Sequence, residues 1–351
     1  MGMTIRDIAR EAGVSTATVS RALRGLPNVD PVTRAKVHAV AERLDYVVSP
    51  AASRLASGRA GSVAVITPYV ARWYFSTVLS GVERVLARSD LDLLLFSVGD
   101  PSEAHRVPPH RKLRRRVDAF LIIALEAASP DLRELFDFDL PVTLIGSTHE
   151  GVSSVAIDDV MGGRTATQHL INLGHERIGI ISGRPLPSPF TPERDRFRGY
   201  LEALENAGLA VEHDFVTHGF FTIEGGETAM TSLLSTPDPP TAVFAISDEM
   251  AFGAIRALRR HGLQPGRDVS IAGFDGHDMS DLLDLTTVVQ PVAELGVRAA
   301  KALLESVLDS SRPPTQEMLP TQLVVRGSSS PPRGSRAGGA AGGRDRTESK
   351  P

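Results

Sequence analysis

From Val63 onward the chain repeats one rhythm, and that rhythm restricts the fold more than any other feature. Short apolar runs alternate with amphipathic stretches: VAVIT (63–67), LDLLLFSV (91–98), DAFLIIA (118–124), PVTLIG (141–146), RIGIIS (177–182), TAVFAIS (241–247) and DVSIAGFD (268–275). The runs do not alternate in polarity, so each predicts a strand buried on both faces, as in a parallel sheet covered by helices. Residues 75–88, 159–173, 194–207, 222–235, 247–261 and 291–308 carry helical periodicity. This βαβ repetition is long enough for two doubly wound sheets.

The first sixty residues differ. Ile5, Ile8, Ala9 and Ala12 recur at helical spacing behind Thr4, a candidate N-cap, with Asp7 three residues on. Gly13 is a natural stop, Ser15 a second cap, and Thr16 to Arg24 a second helix with Val19, Ala22 and Leu23 inward. Its other side offers Thr16, Ala17, Ser20 and Arg21. Slim polar residues suit a helix entering a DNA groove about 12 Å wide, and an arginine can grip a guanine edge with two donors. A plain helical hairpin has the same pattern. Asp30-Pro31 opens a third helix running to about Leu44.

Charge divides the same way. Residues 1–60 hold nine Lys and Arg against five Asp and Glu, whereas the remainder holds 29 against 37. A basic module on an acidic body fits a DNA-binding head on a soluble trunk. Zero cysteines exclude disulfides and thiolate metal sites. With no apolar run near the ~18 residues of a membrane span and no signal peptide, the expectation is a cytoplasmic protein.

In open α/β sheets, ligands lie beyond the carboxyl ends of the strands. There the sequence places Trp73, Tyr74 and Phe75 after the first run, Asp158 after SSVAI, Arg196 near the start of its helix, Asp248 and Asp275. Carboxylates, a guanidinium and aromatic faces suit a polyhydroxylated ligand. An Asp after a strand also serves as a plain helix cap, and Arg196 has Glu193 and Asp195 at hand for a surface pair. Trp73 lines the cleft or shields a dimer seam, the cleft being preferred. Arg184 to Pro192, with four prolines, is a loop able to shape the same pocket. No dinucleotide fingerprint, P-loop, nucleophile elbow or zinc-protease motif is present, so no catalytic, metal or cofactor site is expected.

The stretch TIRDIAREAGVSTATVSRAL (4–23) resembles the headpiece of the lactose-repressor (LacI/GalR) family of transcriptional regulators. The likeness continues through QHLINLGHERIGIISG (168–183), DRFRGYLEALENAGL (195–209), SDEMAFGAIRALRRHGL (247–263) and LTTVVQP (285–291). It implies a helix-turn-helix head on two doubly wound parallel-sheet subdomains resembling periplasmic sugar-binding proteins. Thr16, Ala17 and Arg21 would contact bases, and Thr4, Ser15 and Ser20 phosphates. Arg24 would stand at a corner facing the DNA backbone. The Ala/Ser-rich stretch 49–61 reads as a flexible linker by composition. The resemblance implies instead a hinge helix at 50–57 whose Leu55 wedges into the minor groove.

The expected layout is 1–48 head, 49–61 hinge, 62–327 effector and dimerisation body, and 328–351 disordered tail. Within the body, 62–160 with 291–320 would form one subdomain and 161–290 with 321–327 the other. The expected function is that of a homodimeric repressor of a near-palindromic operator, controlled by a sugar-like effector bound through Asp275, Arg196 and their neighbours. A solute-binding protein or an enzyme fused to a DNA-binding head is the alternative.

Overall fold

A computed structural model describes residues 3–23, 25–46, 60–89, 91–99, 116–127, 140–185 and 190–333, with Leu113, Leu132, Leu135 and Phe136. Contacts divide the chain into two units, Met1–Gly61 and Ser62–Pro351.

The first unit is a three-helix head: α1 (Ile5–Ala12), α2 (Thr16–Leu23) and α3 (Pro31–Arg43). The Asp7 carboxylate accepts from the Thr4 backbone N–H at 3.0 Å and its hydroxyl at 2.7 Å, which closes the start of α1. Gly13, at φ 65°, ends it, and Val14 N–H returns to Ala9 O. Ser15 Oγ caps α2 through Thr18 N–H, and Asp30 caps α3 through Thr33 N–H with Pro31 in the first turn. Ile8, Ala12, Val19, Ala22 and Val37 form a small closed core.

The second unit holds two six-stranded sheets. The first is built from β1 (Ser62–Thr67), β2 (Asp92–Ser97), β3 (Ala119–Ile123), β4 (Val142–Ile145), β5 (Ser153–Ile157) and β11 (Gln316–Leu319), in the order β11-β5-β4-β3-β1-β2. The second comprises β6 (Ile178–Ser182), β7 (Val216–His218), β8 (Ala242–Ala245), β9 (Ser270–Asp275), β10 (Thr286–Val289) and β12 (Gln322–Val324), in the order β12-β10-β9-β8-β6-β7. All pairings are parallel except β10 with β12. The expected α/β class with two doubly wound sheets is what the chain adopts. One expected strand behaves differently. β2 is at the edge of its sheet and is only partly buried, with Leu95 38% exposed.

The helices are α4 (Trp73–Leu86), α5 (Asp159–Asn172), α6 (Thr191–Asn206), α7 (Ile223–Leu234), α8 (Asp248–Arg260), the short α9 (Met279–Leu282) and α10 (Val292–Leu308). They pack in three close pairs, each crossing on glycines. A Cβ on Gly81 of α4 would lie 2.1 Å from Ala293 O, and one on Gly296 of α10 2.2 Å from Val78 O. Gly163 and Gly199 join α5 to α6 in the same way, and Gly226 and Gly253 join α7 to α8. Each missing side chain lets two backbones touch. Helix α6 starts at Thr191 rather than 194 because Pro192, with no N–H to leave unpaired, is tolerated in a first turn.

The chain passes between the sheets three times: ahead of α5, ahead of α10 at Gln290, and between β11 and β12. The first two passages deliver Asp159 and Gln290 to the site described below.

The expectation of a disordered tail beginning at Ser328 fails for its first residues. Ser328 Oγ donates to Ile271 O at 2.7 Å and accepts from Thr286 N–H at 2.8 Å. Ser329 Oγ meets His169 Nε2 at 2.9 Å, and Ser330 O accepts from Ser270 Oγ at 2.8 Å and faces His175 Nε2 at 2.9 Å. Low hydrophobicity suggests disorder, but here serine hydroxyls anchor the segment by satisfying buried polar groups. His169 is half-buried in this seam, and burial lowers its pKa.

Candidate functional site

In the head, α2 presents one open face. Ser15, Thr16, Ala17 and Arg21 are exposed and Ser20 is partly so, while Val19 and Ala22 are wholly buried. Part of the polar capacity is already spent locally. Ser15 Oγ meets Thr18 Oγ1 at 2.9 Å, and Thr4 is tied to Asp7. Arg24 and Leu55 lie outside the described residues, as does the stretch of the expected hinge helix.

In the body, an open cleft enclosing about 520 Å³, solvent included, lies between the two sheets' carboxyl ends. Tyr69, Tyr74, Phe75, Phe190 and Phe221 supply aromatic walls. Arg72, Glu193, Arg196, Ser247, Glu249 and Asp275 supply the polar surface.

Arg196 organises the floor. Its Nε donates to Asp159 Oδ1 at 2.8 Å, and its Nη1 to Ile246 O at 2.8 Å and Asp275 Oδ1 at 3.2 Å. Its guanidinium carbon sits 3.7 Å from the centre of the Phe274 ring. Gln290 Nε2 donates to the same Asp275 oxygen at 2.8 Å. Asp159, Arg196 and Asp275 are all nearly enclosed. Burial pushes the Asp159 carboxyl up to about 6 against the pull of Arg196, and pushes Asp275 up as well. Tyr74 is raised by burial and then by the charge of Asp159. The Asp275 carboxylate also takes the backbone N–H of Asp248.

The cleft also stores backbone strain. Ala124, Phe221 and Asp275, which all line it, hold φ of 56°, 55° and 127°. Non-glycine residues in such regions cost about 1–3 kcal/mol each and persist only where their surroundings fix them. For Asp275 the bonds from Arg196 and Gln290 do so.

Three expected ligand residues occupy other roles. Asp158 is exposed and caps α5, accepting from Met161 N–H at 2.8 Å; its neighbour Asp159 is the carboxylate on Arg196. The chain turns inward one residue later than the end of the apolar run suggested. Asp248 is fully buried and braces the loop after β9. Its Oδ2 accepts from Gly276 N–H, His277 N–H and Ser280 Oγ, and its Oδ1 from Thr287 Oγ1 at 2.7 Å. The cap of α8 is Ser247, whose Oγ takes Met250 N–H. Trp73 turns away from the walls and stacks on His277, ring centres 4.8 Å apart, while its Nε1 donates to Asp278 at 3.3 Å. It therefore links the two halves of the body beside the cleft. Arg196, with its buried partners, is not the surface pair that Glu193 or Asp195 would have made.

Tyr74, Phe75, Arg196 and Asp275 come together as expected neighbours. Sequence reading missed Tyr69, Arg72, Phe221 and Glu249. Glu249 directly follows Asp248 at the carboxyl end of a strand, and position alone does not separate the two; the fold shows that Glu249 faces the cleft. Burial raises its carboxyl to about 6, against the pull of Arg72. From the proline-rich loop, Phe190 and Pro192 reach the wall, and residues 186–189 lie outside the described set.

Two family models match the chain: that of bacterial regulatory proteins of the lacI family over residues 4–49, and a periplasmic binding protein-like domain over 167–329. Catabolite control protein A of Priestia megaterium is 33% identical over 331 residues, covering 93% of this chain and 99% of its own length.

The chain belongs to the lacI family of bacterial regulatory proteins.

Other members agree with it along their length. The transcriptional regulator CelR of Thermobifida fusca is 32% identical, over 92% of this chain and 97% of its own. A CelR–cellobiose complex superposes with a TM-score of 0.67, at 32% identity and covering 93% and 99% of the two chains. The lac repressor dimer bound to operator and the anti-inducer ONPF gives 0.83, at 26% identity and covering 94% and 100%. These relatives are named as regulators and repressors of transcription, not as enzymes. As a lacI-family member the chain is a DNA-binding transcriptional regulator, and among its described residues no helix is long and apolar enough to cross a membrane.

Proposed function

We propose that this lacI-family member is a homodimeric repressor that reads a near-palindromic operator and answers to a carbohydrate-like effector in its cleft. Thr16, Ala17 and Arg21 contact base edges, while Thr4, Ser15, Ser20 and Arg24 fix register on phosphates. Leu55 wedges the minor groove. Residues 1–48 act as head, 49–61 as hinge and 62–327 as effector body.

The observation that carries the effector reading is the Arg196–Asp275 pair. It sets a guanidinium donor beside a carboxylate acceptor on the lining of the cleft. Two adjacent hydroxyls of one sugar satisfy both, and the apolar sugar face rests on an aromatic wall. Asp159 and Gln290 reach this pair from the two sheet-to-sheet passages, so ligation there biases the angle between the halves. A coupling of about 2.7 kcal/mol is enough to change operator affinity about 100-fold. Cellobiose in the CelR complex and ribose in an Enterococcus faecium lacI-family regulator support the ligand class.

Trp73 is the sole tryptophan and joins the two halves. Titration of candidate sugars against its emission, with operator binding followed in parallel, tests the reading. A sugar that shifts emission and alters operator affinity supports it; turnover of that sugar favours an enzyme.

A further inference from the structure

Several helix N-termini converge on the cleft, and such termini ordinarily attract anions. Here each already meets a carboxylate of this chain. Helix α8 carries Asp248 and Glu249 in its first turn, and the Glu249 carboxylate also faces the Trp73 N–H at the start of α4. Helix α6 opens with Pro192, which has no N–H, and Glu193, whose Oε1 accepts from Ser182 Oγ at 3.3 Å and from Arg184 N–H. Asp158 caps α5, with Asp159 beside it on Arg196.

The guanidinium at the floor is committed as well. Arg196 lies between two carboxylates. Arg72 sits 5.6 Å from the centre of the Tyr69 ring, and its charge pulls the Glu249 pKa down against burial. Arg184 donates to the Tyr69 hydroxyl. No lysine lines the cleft among the described residues. Glu193, Glu249 and Asp275 outnumber Arg72 and Arg196 on its surface, with Asp159 adding a further negative charge just behind. Asp159, Glu249 and Asp275 are all held above the ordinary carboxylate range, with burial the largest cause.

We infer that the cleft takes an uncharged effector and turns away phosphorylated or carboxylated forms of the same compound. The chain's own carboxylates fill the places that would hold an anion. This rests on the effector reading above and narrows it to a charge class. A phosphate monoester brings close to two negative charges into a surface already in negative excess, whose floor guanidinium, Arg196, is already paired with two carboxylates.

The test uses the full-length chain and matched pairs: ribose, glucose and adenosine, each beside its own phosphate monoester. Affinity is read by calorimetry and operator release by fluorescence anisotropy. The neutral member of a binding pair is expected to bind at least about 100-fold more tightly than its phosphate. Glu249→Gln, which removes one carboxylate and leaves Arg196 untouched, is expected to narrow that gap by about tenfold. A phosphorylated compound that binds as tightly as its neutral form overturns the inference, and if it also releases operator the effector reading stands without it. A neutral compound that binds preferentially but leaves operator affinity unchanged upholds the charge class and defeats the effector reading.

Discussion

Arg196 Nη1 and Gln290 Nε2 converge on one oxygen, Asp275 Oδ1, at 3.2 and 2.8 Å. Arg196 belongs to a helix on the second sheet, and Gln290 to the passage back toward the first. The floor of the cleft is thus joined to the segment that must bend if the halves reorient.

Asp275→Asn keeps the shape of the side chain but removes its charge. Effector affinity is expected to fall by about 10- to 100-fold, the loss of a charge-assisted bond of roughly 1.5–3 kcal/mol. Operator binding without effector is expected to remain. Induction that persists at wild-type effector concentrations contradicts the assignment.

Gly163→Ala places a Cβ 2.3 Å from Arg196 O, in the contact between α5 and α6. Overpacking of this kind costs about 1–3 kcal/mol. Urea denaturation should show that loss, and calorimetry should show weakened effector binding because Arg196 is pushed off Asp159. A variant as stable as wild type contradicts the close packing.

Glu249 titrates at about 6 in the fold against an ordinary value of 4.5. The sign follows from its raised pKa. Its contribution to stability is fully present below the unfolded value and is lost as pH rises through about 6. Comparing wild type with Glu249→Gln cancels the opposing histidines, whose values are lowered by burial. Relative to the variant, wild type is expected to lose about 1 kcal/mol between pH ~5 and ~7.5, after allowance for solvent screening at a partly exposed group. Parallel denaturation curves with a constant offset contradict it.

His277→Ala removes the ring on which Trp73 stacks. Emission should shift to the red and its response to effector should shrink. An unchanged spectrum means that the stacking does not persist in solution.

Much of this was legible in the sequence. Buried parallel strands announce themselves as unbroken apolar runs, and the head through its caps at Thr4, Ser15 and Asp30. The short strands β7, β11 and β12 carried no such run; they are three or four residues long and partly exposed, so periodicity had nothing to register. The helix-pairing glycines were invisible for another reason: an interior glycine lowers helix propensity, and its benefit exists only once a second backbone arrives. In the cleft, Arg196 and Asp275 could be named, but Asp158 and Asp159 are adjacent and differ only in which one the chain turns inward. Asp248 and Glu249 pose the same problem. One residue of rotation at a helix start separates a cap or brace from an inward-facing group, and tertiary packing sets that rotation.

The central claim is that α2 reads DNA and the cleft controls its grip. The most direct measurement is the affinity of the full-length chain for a two-fold-symmetric operator selected from random duplexes, at moderate salt, for wild type and Arg21→Ala, with and without a cleft-binding sugar. The account predicts a clear preference for the selected site, a loss of about 1–3 kcal/mol in Arg21→Ala with relaxed specificity, and a sugar-dependent change that Asp275→Asn abolishes. Equal binding to selected and random duplex, with sugar present and absent alike, would contradict it.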